Sequence, residues 1–158
     1  MTLYFIGLGI CGVKGISLEG LEAASRCSKV YVELYTSLVP GLELGVLQGL
    51  LGREVEQIGR GELEGRWAEE LVEEARRLDV ALLTPGDPFI ATTHEALRLE
   101  ALRRGVEVRV IHAASAASAI PGATGLSFYK FGRSATVVYP EPSYAPQAAY
   151  EAIKENLA

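Results

Sequence analysis

Three features of this 158-residue sequence predict an α/β fold, a mostly parallel sheet flanked by helices. Short apolar, β-branched runs alternate with longer segments of helical period, which is the pattern of consecutive βαβ units. One run, Val80-Ala81-Leu82-Leu83, is apolar on both faces, as a central parallel strand covered by helices on each side must be. Glycine- or proline-rich segments follow several of the runs, where a chain leaving a strand has to turn.

The elements follow in chain order. Residues 3–7 are expected to form the first strand: the apolar opening has no basic leader, and Ile10 before Cys11 is too bulky for a cleavage site, so the segment reads as a strand rather than an export signal. Ser17 is a plausible N-cap for a crossover helix with Leu18, Leu21 and Ala24 on one face. Residues 30–35 make the second strand, 42–51 a helix and 54–58 the third strand. A long helix is expected over 62–78, with Trp67, Leu71, Val72, Ala75 and Leu78 as its buried stripe. After the strand Val80–Thr84, a helix over 93–104 stops at Gly105, a natural C-cap, and 106–111 is the fifth strand. Beyond Pro121 to Gly125 and an aromatic stretch around Phe128, a sixth strand is expected over 135–139. Pro140, Pro142 and Pro146 separate it from a helix over 148–158. The expected organisation is an α/β domain over 1–125, with 126–158 as linker, first strand and first helix of an incomplete second α/β domain.

Composition narrows the function classes. With 49% hydrophobic and 22% charged residues the chain has the profile of a folded globular protein, so disorder is excluded. Fifteen basic against twenty acidic residues give a net charge of -5, which leaves no broad positive surface for nucleic acid or anionic lipid. No run approaches the roughly 18 apolar residues of a membrane span. Cys11 and Cys27 are too far apart for a C-x-x-C pair and read as reduced, semi-buried thiols of a cytoplasmic protein. His94 and His112 complete an inventory without metal-ligand spacing, so no metal is expected. Arginine outnumbers lysine eleven to four and Asn plus Gln number four, which suits a thermophile; a GC-rich genome gives the same arginine excess.

In open α/β sheets ligands sit beyond the carboxyl ends of the strands. Three unusual segments fall at such ends: Gly7-Leu8-Gly9-Ile10, Thr84-Pro85-Gly86-Asp87-Pro88 and His112-Ala113-Ala114-Ser115-Ala116. Gly7, Gly9 and Gly12 satisfy the spacing of a dinucleotide fingerprint, with Glu33 near the end of the second strand. The helix does not open inside that run, however, so a pyrophosphate would lose its backbone donors. The alternative is a glycine turn allowing close backbone approach. Asp87 can accept hydrogen bonds from an amine or a ribose hydroxyl, or bond its own backbone as an Asx turn.

The set Tyr4-Phe5-Ile6-Gly7-Leu8-Gly9, Glu33-Leu34-Tyr35-Thr36-Ser37-Leu38, Leu83-Thr84-Pro85-Gly86-Asp87-Pro88, Ala91-Thr92-Thr93-His94, Val110-Ile111-His112-Ala113 and Thr124 to Gly132 closely resembles the diphthine synthases. These are a branch of the tetrapyrrole-methylase-like methyltransferases, and the similarity runs in one register from residue 3 to about Asn156. The resemblance implies a two-domain α/β homodimer that uses S-adenosylmethionine. Its product would be S-adenosylhomocysteine, and it would methylate the amino group of the modified histidine of translation elongation factor 2 during diphthamide biosynthesis. Carried across by residue, the implied cofactor contacts are Ile10, Asp87, Ile90, Ser115 and Ala116. No catalytic residue is assigned: His94 and His112 read as structural, Phe128 and Phe131 as core aromatics, and Lys130 as a solvated neighbour.

Members of that branch are longer, so the resemblance also implies a chain truncated in its second domain, exposing Val137, Tyr139, Tyr150 and Ile153. Two other readings stand beside it. One is a non-catalytic remnant used for binding or assembly, and the other a corrin or porphyrin precursor methylase of the same superfamily.

Overall fold

The computed structural model describes residues 1–137 and 144–157. The chain divides into two compact units, Met1–Ala119 and Ile120–Ala158. In the first, five parallel strands, β1 (Thr2–Gly7), β2 (Lys29–Glu33), β3 (Glu56–Ile58), β4 (Val80–Thr84) and β5 (Glu107–Ile111), lie in the order β3-β2-β4-β1-β5. Its helices are α1 (Leu18–Arg26), α2 (Leu44–Leu51), α3 (Arg60–Leu63), α4 (Trp67–Ala75) and α5 (His94–Arg103), and α6 (Ala116–Thr124) follows β5.

Side-chain alternation along the strands assigns the helices to opposite faces. Leu3 and Phe5 of β1, Tyr31 of β2 and Val80 and Leu82 of β4 pack with Leu71, Val72 and Ala75 of α4 and Leu97 and Ala101 of α5. Ile6, Val32, Ala81 and Leu83 point the other way, to Ala24 of α1 and Leu47 and Leu51 of α2. Every residue of β4 is buried, which the two-faced apolar run predicts for a strand held between β1 and β2.

Ser17 caps α1 through its Oγ, which accepts from Gly20 N at 3.0 Å. The buried face of that helix is Gly20 and Ala24, and Leu18 is 80% exposed, so the expected Leu18 face is corrected by rotation of the helix toward its small residues. The helix expected over 62–78 is two helices, α3 and α4. A Cβ at Gly65, in the break between them, would meet the Gly61 carbonyl oxygen at 2.5 Å, so only glycine fits there. α4 stops at Ala75, so Leu78 lies beyond its end and is 36% exposed, while Trp67 remains half-buried, its ring edge-on to Tyr31 at 5.0 Å. The third strand begins at Glu56 rather than 54. α6 was not expected, because Pro121 and Gly122 read as breakers; the structure runs the helix across them.

Ile120–Ala158 contains the rest of α6, a 3-10 turn at Phe128–Lys130 and α7 (Ala148–Leu157). Asn156 Nδ2 donates to Ala152 O at 2.7 Å on α7, and Arg133 pairs with Glu155 at 3.5 Å. The expected strand over 135–139 is corrected in part: residues 135–137 are not strand, and Val138 and Tyr139 lie outside the described residues. Phe128 and Phe131, expected in a core, are 66% and 40% exposed. Val137, Tyr150 and Ile153 are also exposed, and Tyr139 is outside the described residues. Among the described residues no helix is long and apolar enough to cross a membrane.

Candidate functional site

Strands β1 and β4 are parallel neighbours in the register Gly7↔Thr84, yet their continuations leave toward opposite faces, β1 toward α1 and β4 toward α5. In open α/β sheets, divergence of this kind is where ligands sit, at the carboxyl edge of the sheet. The two chains stay paired beyond that edge. Leu8 N donates to Thr84 O at 2.8 Å, Gly9 N to Gly86 O at 3.1 Å and Gly86 N to Gly9 O at 2.9 Å. Gly9 and Gly86 have φ of 68° and 67°, the left-handed region that glycine enters without a Cβ penalty, so this reversed pairing depends on both.

The third segment is locked to the second through Asp87. This carboxylate is only 4% exposed; Oδ1 accepts from Phe89 N at 3.0 Å, closing the Asx turn, and Oδ2 accepts from Ala113 N at 3.2 Å and His112 Nδ1 at 2.7 Å. A carboxylate has about four acceptor positions, so roughly one remains for a ligand. Gly7 completes the junction: a Cβ there would lie 2.6 Å from both Ala113 Cβ and the Gly86 carbonyl oxygen.

The proline turn is held from behind. The Pro88 carbonyl accepts from Thr92 Oγ1 at 2.5 Å and from His94 Nδ1 at 3.0 Å, which accounts for the Ala91-Thr92-Thr93-His94 motif. Ala91 itself has a φ of 58°, a strained conformation for a residue with a Cβ. His94 is 1% exposed, and its Nε2 lies 3.8 Å from Oε1 of Glu33, which is fully buried. Burial pushes the His94 imidazole below its usual range, against the opposing pull of the Glu33 carboxylate.

Glu33 is committed to its own turn. Its Oε2 accepts from Tyr35 N at 3.2 Å and Thr36 N at 3.1 Å, and Oε1 accepts from Thr36 Oγ1 at 2.6 Å. That rules it out as the ribose-binding acid of a dinucleotide site. The glycine run agrees, since a 3-10 turn at Gly12–Gly15 separates it from α1. The role of Glu33 was legible only as an acid at a strand end followed three residues later by threonine, the pattern of a side chain capping a turn.

Of the five residues the resemblance singled out, Asp87 and Ser115 are buried at the junction, and Ile90 N donates to Asp87 O at 3.4 Å although its side chain is 44% exposed. Ile10 follows Gly9 and is half-buried; Ala116 opens α6 and is exposed. Thr84 belongs to the proline-turn segment but is not among the contacts the resemblance implies. Thr84 Oγ1 and Ser115 Oγ are buried without a hydrogen-bond partner among the described residues, as are Tyr35 Oη and His94 Nε2. Orphaned hydroxyls at or beyond the carboxyl ends of strands mark places where something else completes the hydrogen bonding.

These residues fit S-adenosylmethionine. Segments 7–10, 84–90 and 112–116 offer a buried carboxylate with acceptor capacity, an unpartnered serine hydroxyl, apolar Ile10 and Ile90, and no lysine or arginine to repel a sulfonium. Recesses also lie elsewhere. One of about 590 Å³ over α4 is lined by Arg66, Glu69, Glu70, Glu73, Arg77 and Arg104 among others. Its wall carries the ion pairs of Arg104 with Glu69 and Glu73, and Arg104 also meets Glu100. Among the described residues no three His, Cys, Asp or Glu side chains are grouped to hold a metal ion.

The family model for tetrapyrrole (corrin/porphyrin) methylases matches residues 2–158. The chain is 48% identical to a diphthine synthase of Staphylothermus marinus and 47% identical to one of Methanothermobacter thermautotrophicus, in each case over 98% of this chain and 58% of the relative. A crystal structure of diphthine synthase superposes with a TM-score of 0.90 at 43% identity, covering 99% of this chain and 60% of that one. The chain thus spans about 58% of the length of the curated relatives it matches.

Proposed function

From the premise that this chain belongs to the tetrapyrrole (corrin/porphyrin) methylases, we propose that it is an S-adenosylmethionine-dependent methyltransferase of the diphthine synthase type. Its acceptor in this reading is the amino group of the modified histidine of translation elongation factor 2. The observation that carries the reading is the convergence of three strand-end segments on Asp87 at the divergence of β1 and β4. The proposed cofactor contacts are Ile10, Asp87, Ile90, Ser115 and Ala116.

When bound, the cofactor supplies an already activated methyl group, so the protein's work is to hold reactants in line. The glycine pair presents backbone close to the ligand. Asp87 offers a polar anchor held by hydrogen bonds from Phe89, Ala113 and His112, Ser115 offers a buried hydroxyl without a partner among the described residues, and Ile10 and Ile90 cover apolar surface. The proposed setting is a cytoplasmic homodimer whose cofactor half lies within residues 1–125. Calorimetric titration with S-adenosylhomocysteine tests the reading. Saturable binding that weakens at least tenfold in Asp87→Ala is expected; no heat at millimolar ligand defeats it and leaves the binding-module alternative.

A further inference from the structure

The Asp87–His112 hydrogen bond has a direction. An ionised carboxylate only accepts, so the proton between them sits on Nδ1 of His112, 2.7 Å from Oδ2, and the neutral imidazole carries its lone pair on Nε2. The anchor is firm, because Asp87 is buried and also bound by the backbone of Phe89 and Ala113. The imidazole, in contrast, is 70% exposed at the carboxyl end of β5, three residues before Ser115. A basic nitrogen oriented through its far side by a buried carboxylate is the arrangement of a proton acceptor. His94 has no such freedom: it is 1% exposed and its Nδ1 is spent on the Pro88 carbonyl.

We infer that His112 Nε2 takes the proton from the acceptor amine before methyl transfer, an inference that rests on the methyltransferase reading above. An ammonium has no lone pair and cannot attack. Its proton passes to Nε2, giving an imidazolium whose Nδ1–H stays on the Asp87 carboxylate. The neutral nitrogen then forms the new N–C bond as the C–S bond breaks, with the electron pair leaving on sulfur. The positive charge moves to the methylated nitrogen, and His112 returns its proton to water before the next cycle.

The test uses the 158-residue chain and His112→Asn, in which the amide Nδ2 still donates to Asp87 but no basic nitrogen remains. Nitrogen-15 spectra of the histidine-labelled parent are expected to show neutral His112 protonated on Nδ1. His112→Asn is expected to keep the parent's melting temperature and its S-adenosylhomocysteine affinity within about threefold. Its methyl transfer to elongation factor 2 carrying the unmethylated amine should fall about 100-fold. Added imidazole should restore part of the rate in His112→Ala, which a merely structural role would not allow. Protonation on Nε2, transfer by His112→Asn at the parent's rate, or loss of cofactor-product binding in that variant overturns the proposal. A parent that neither binds S-adenosylhomocysteine nor transfers a methyl group overturns the methyltransferase reading itself, and this step falls with it.

Discussion

Gly7→Ala places one methyl group at the point where the three strand-end segments meet. Its Cβ would sit 2.6 Å from Ala113 Cβ, 2.6 Å from the Gly86 carbonyl oxygen and 3.1 Å from Ala113 N. Carbon contacts settle near 3.5–4.0 Å, so the carbon neighbour must give by about 1 Å, and the carbonyl oxygen must also retreat. Neither moves cheaply: β1 is hydrogen-bonded between β4 and β5, and Gly86 is paired with Gly9. Overpacking of this kind costs about 1–3 kcal/mol, and two backbone-anchored neighbours put Gly7→Ala at the upper end, about 3 kcal/mol. In urea unfolding that lowers the midpoint by roughly 1–2 M. The control is Gly49→Ala, exposed within α2 with nothing within 4 Å of its would-be Cβ, where helix propensity predicts a gain of up to about 1 kcal/mol. The same chemical change should move the midpoint in opposite directions at the two sites. A Gly7→Ala midpoint equal to the parent's would refute the close approach on which the site is built.

His94 predicts a pH dependence. Burial holds the folded imidazole below its usual range, so near pH 6.5 the unfolded chain binds a proton that the folded chain does not. Stability should therefore fall as pH drops below about 6.5, by up to about 1.4 kcal/mol per unit from this group, until the folded value is reached. His94→Asn should remove that part of the slope in urea midpoints measured from pH 7 to 5, and an unchanged slope would contradict the assignment. The two thiols should separate cleanly. Burial, and then the Asp79 carboxylate, push Cys27 up to about 11, whereas Cys11 is exposed. Mass spectrometry after iodoacetamide at pH 8 should find Cys11 alkylated and Cys27 intact until denaturant is added; equal labelling of both would show that the α1 end is open.

Tyr31 offers a further check on the packing of β2 against α4. Its hydroxyl donates to Glu74 Oε2 at 2.7 Å, and burial together with that carboxylate raises the phenol above its usual range. Tyr31→Phe should cost about 1 kcal/mol in urea unfolding, and no change would mean the bond adds nothing over solvation.

What the sequence made legible was set by local chemistry. The run Val80 to Leu83 needs helices on both sides because all four residues are apolar, and Ser17 could be read as a cap because a hydroxyl before an apolar helical stripe has few other uses. The break at Gly65 was hidden, since glycine within a helical period is ambiguous until its contact with the Gly61 carbonyl is known. α6 was hidden for the opposite reason: Pro121-Gly122 has local breaker character that the structure overrides. In the site, the rigid turn around Gly86 and Asp87 was readable, but the partners of Asp87 were not. Ala113 and His112 lie 26 and 25 residues away and reach it only because β5 returns beside β1. His112 reads as structural from its place at a strand end, and spacing does not reveal its bond to Asp87. The carboxylate of Glu33, which resembled a nucleotide-binding acid by position, is explained only by the three donors of its own turn.

The central claim is that Gly7–Ile10, 84–90 and 112–116 form one binding edge for a sulfonium cofactor. Amide nitrogen-15 spectra of the chain titrated with S-adenosylhomocysteine test it most directly. Saturable shifts are expected to concentrate at Gly9, Ile10, Gly86, Asp87, Ile90, Ser115 and Ala116, with little change along α4. Shifts centred on the charged recess over α4, or none at millimolar ligand, would contradict it.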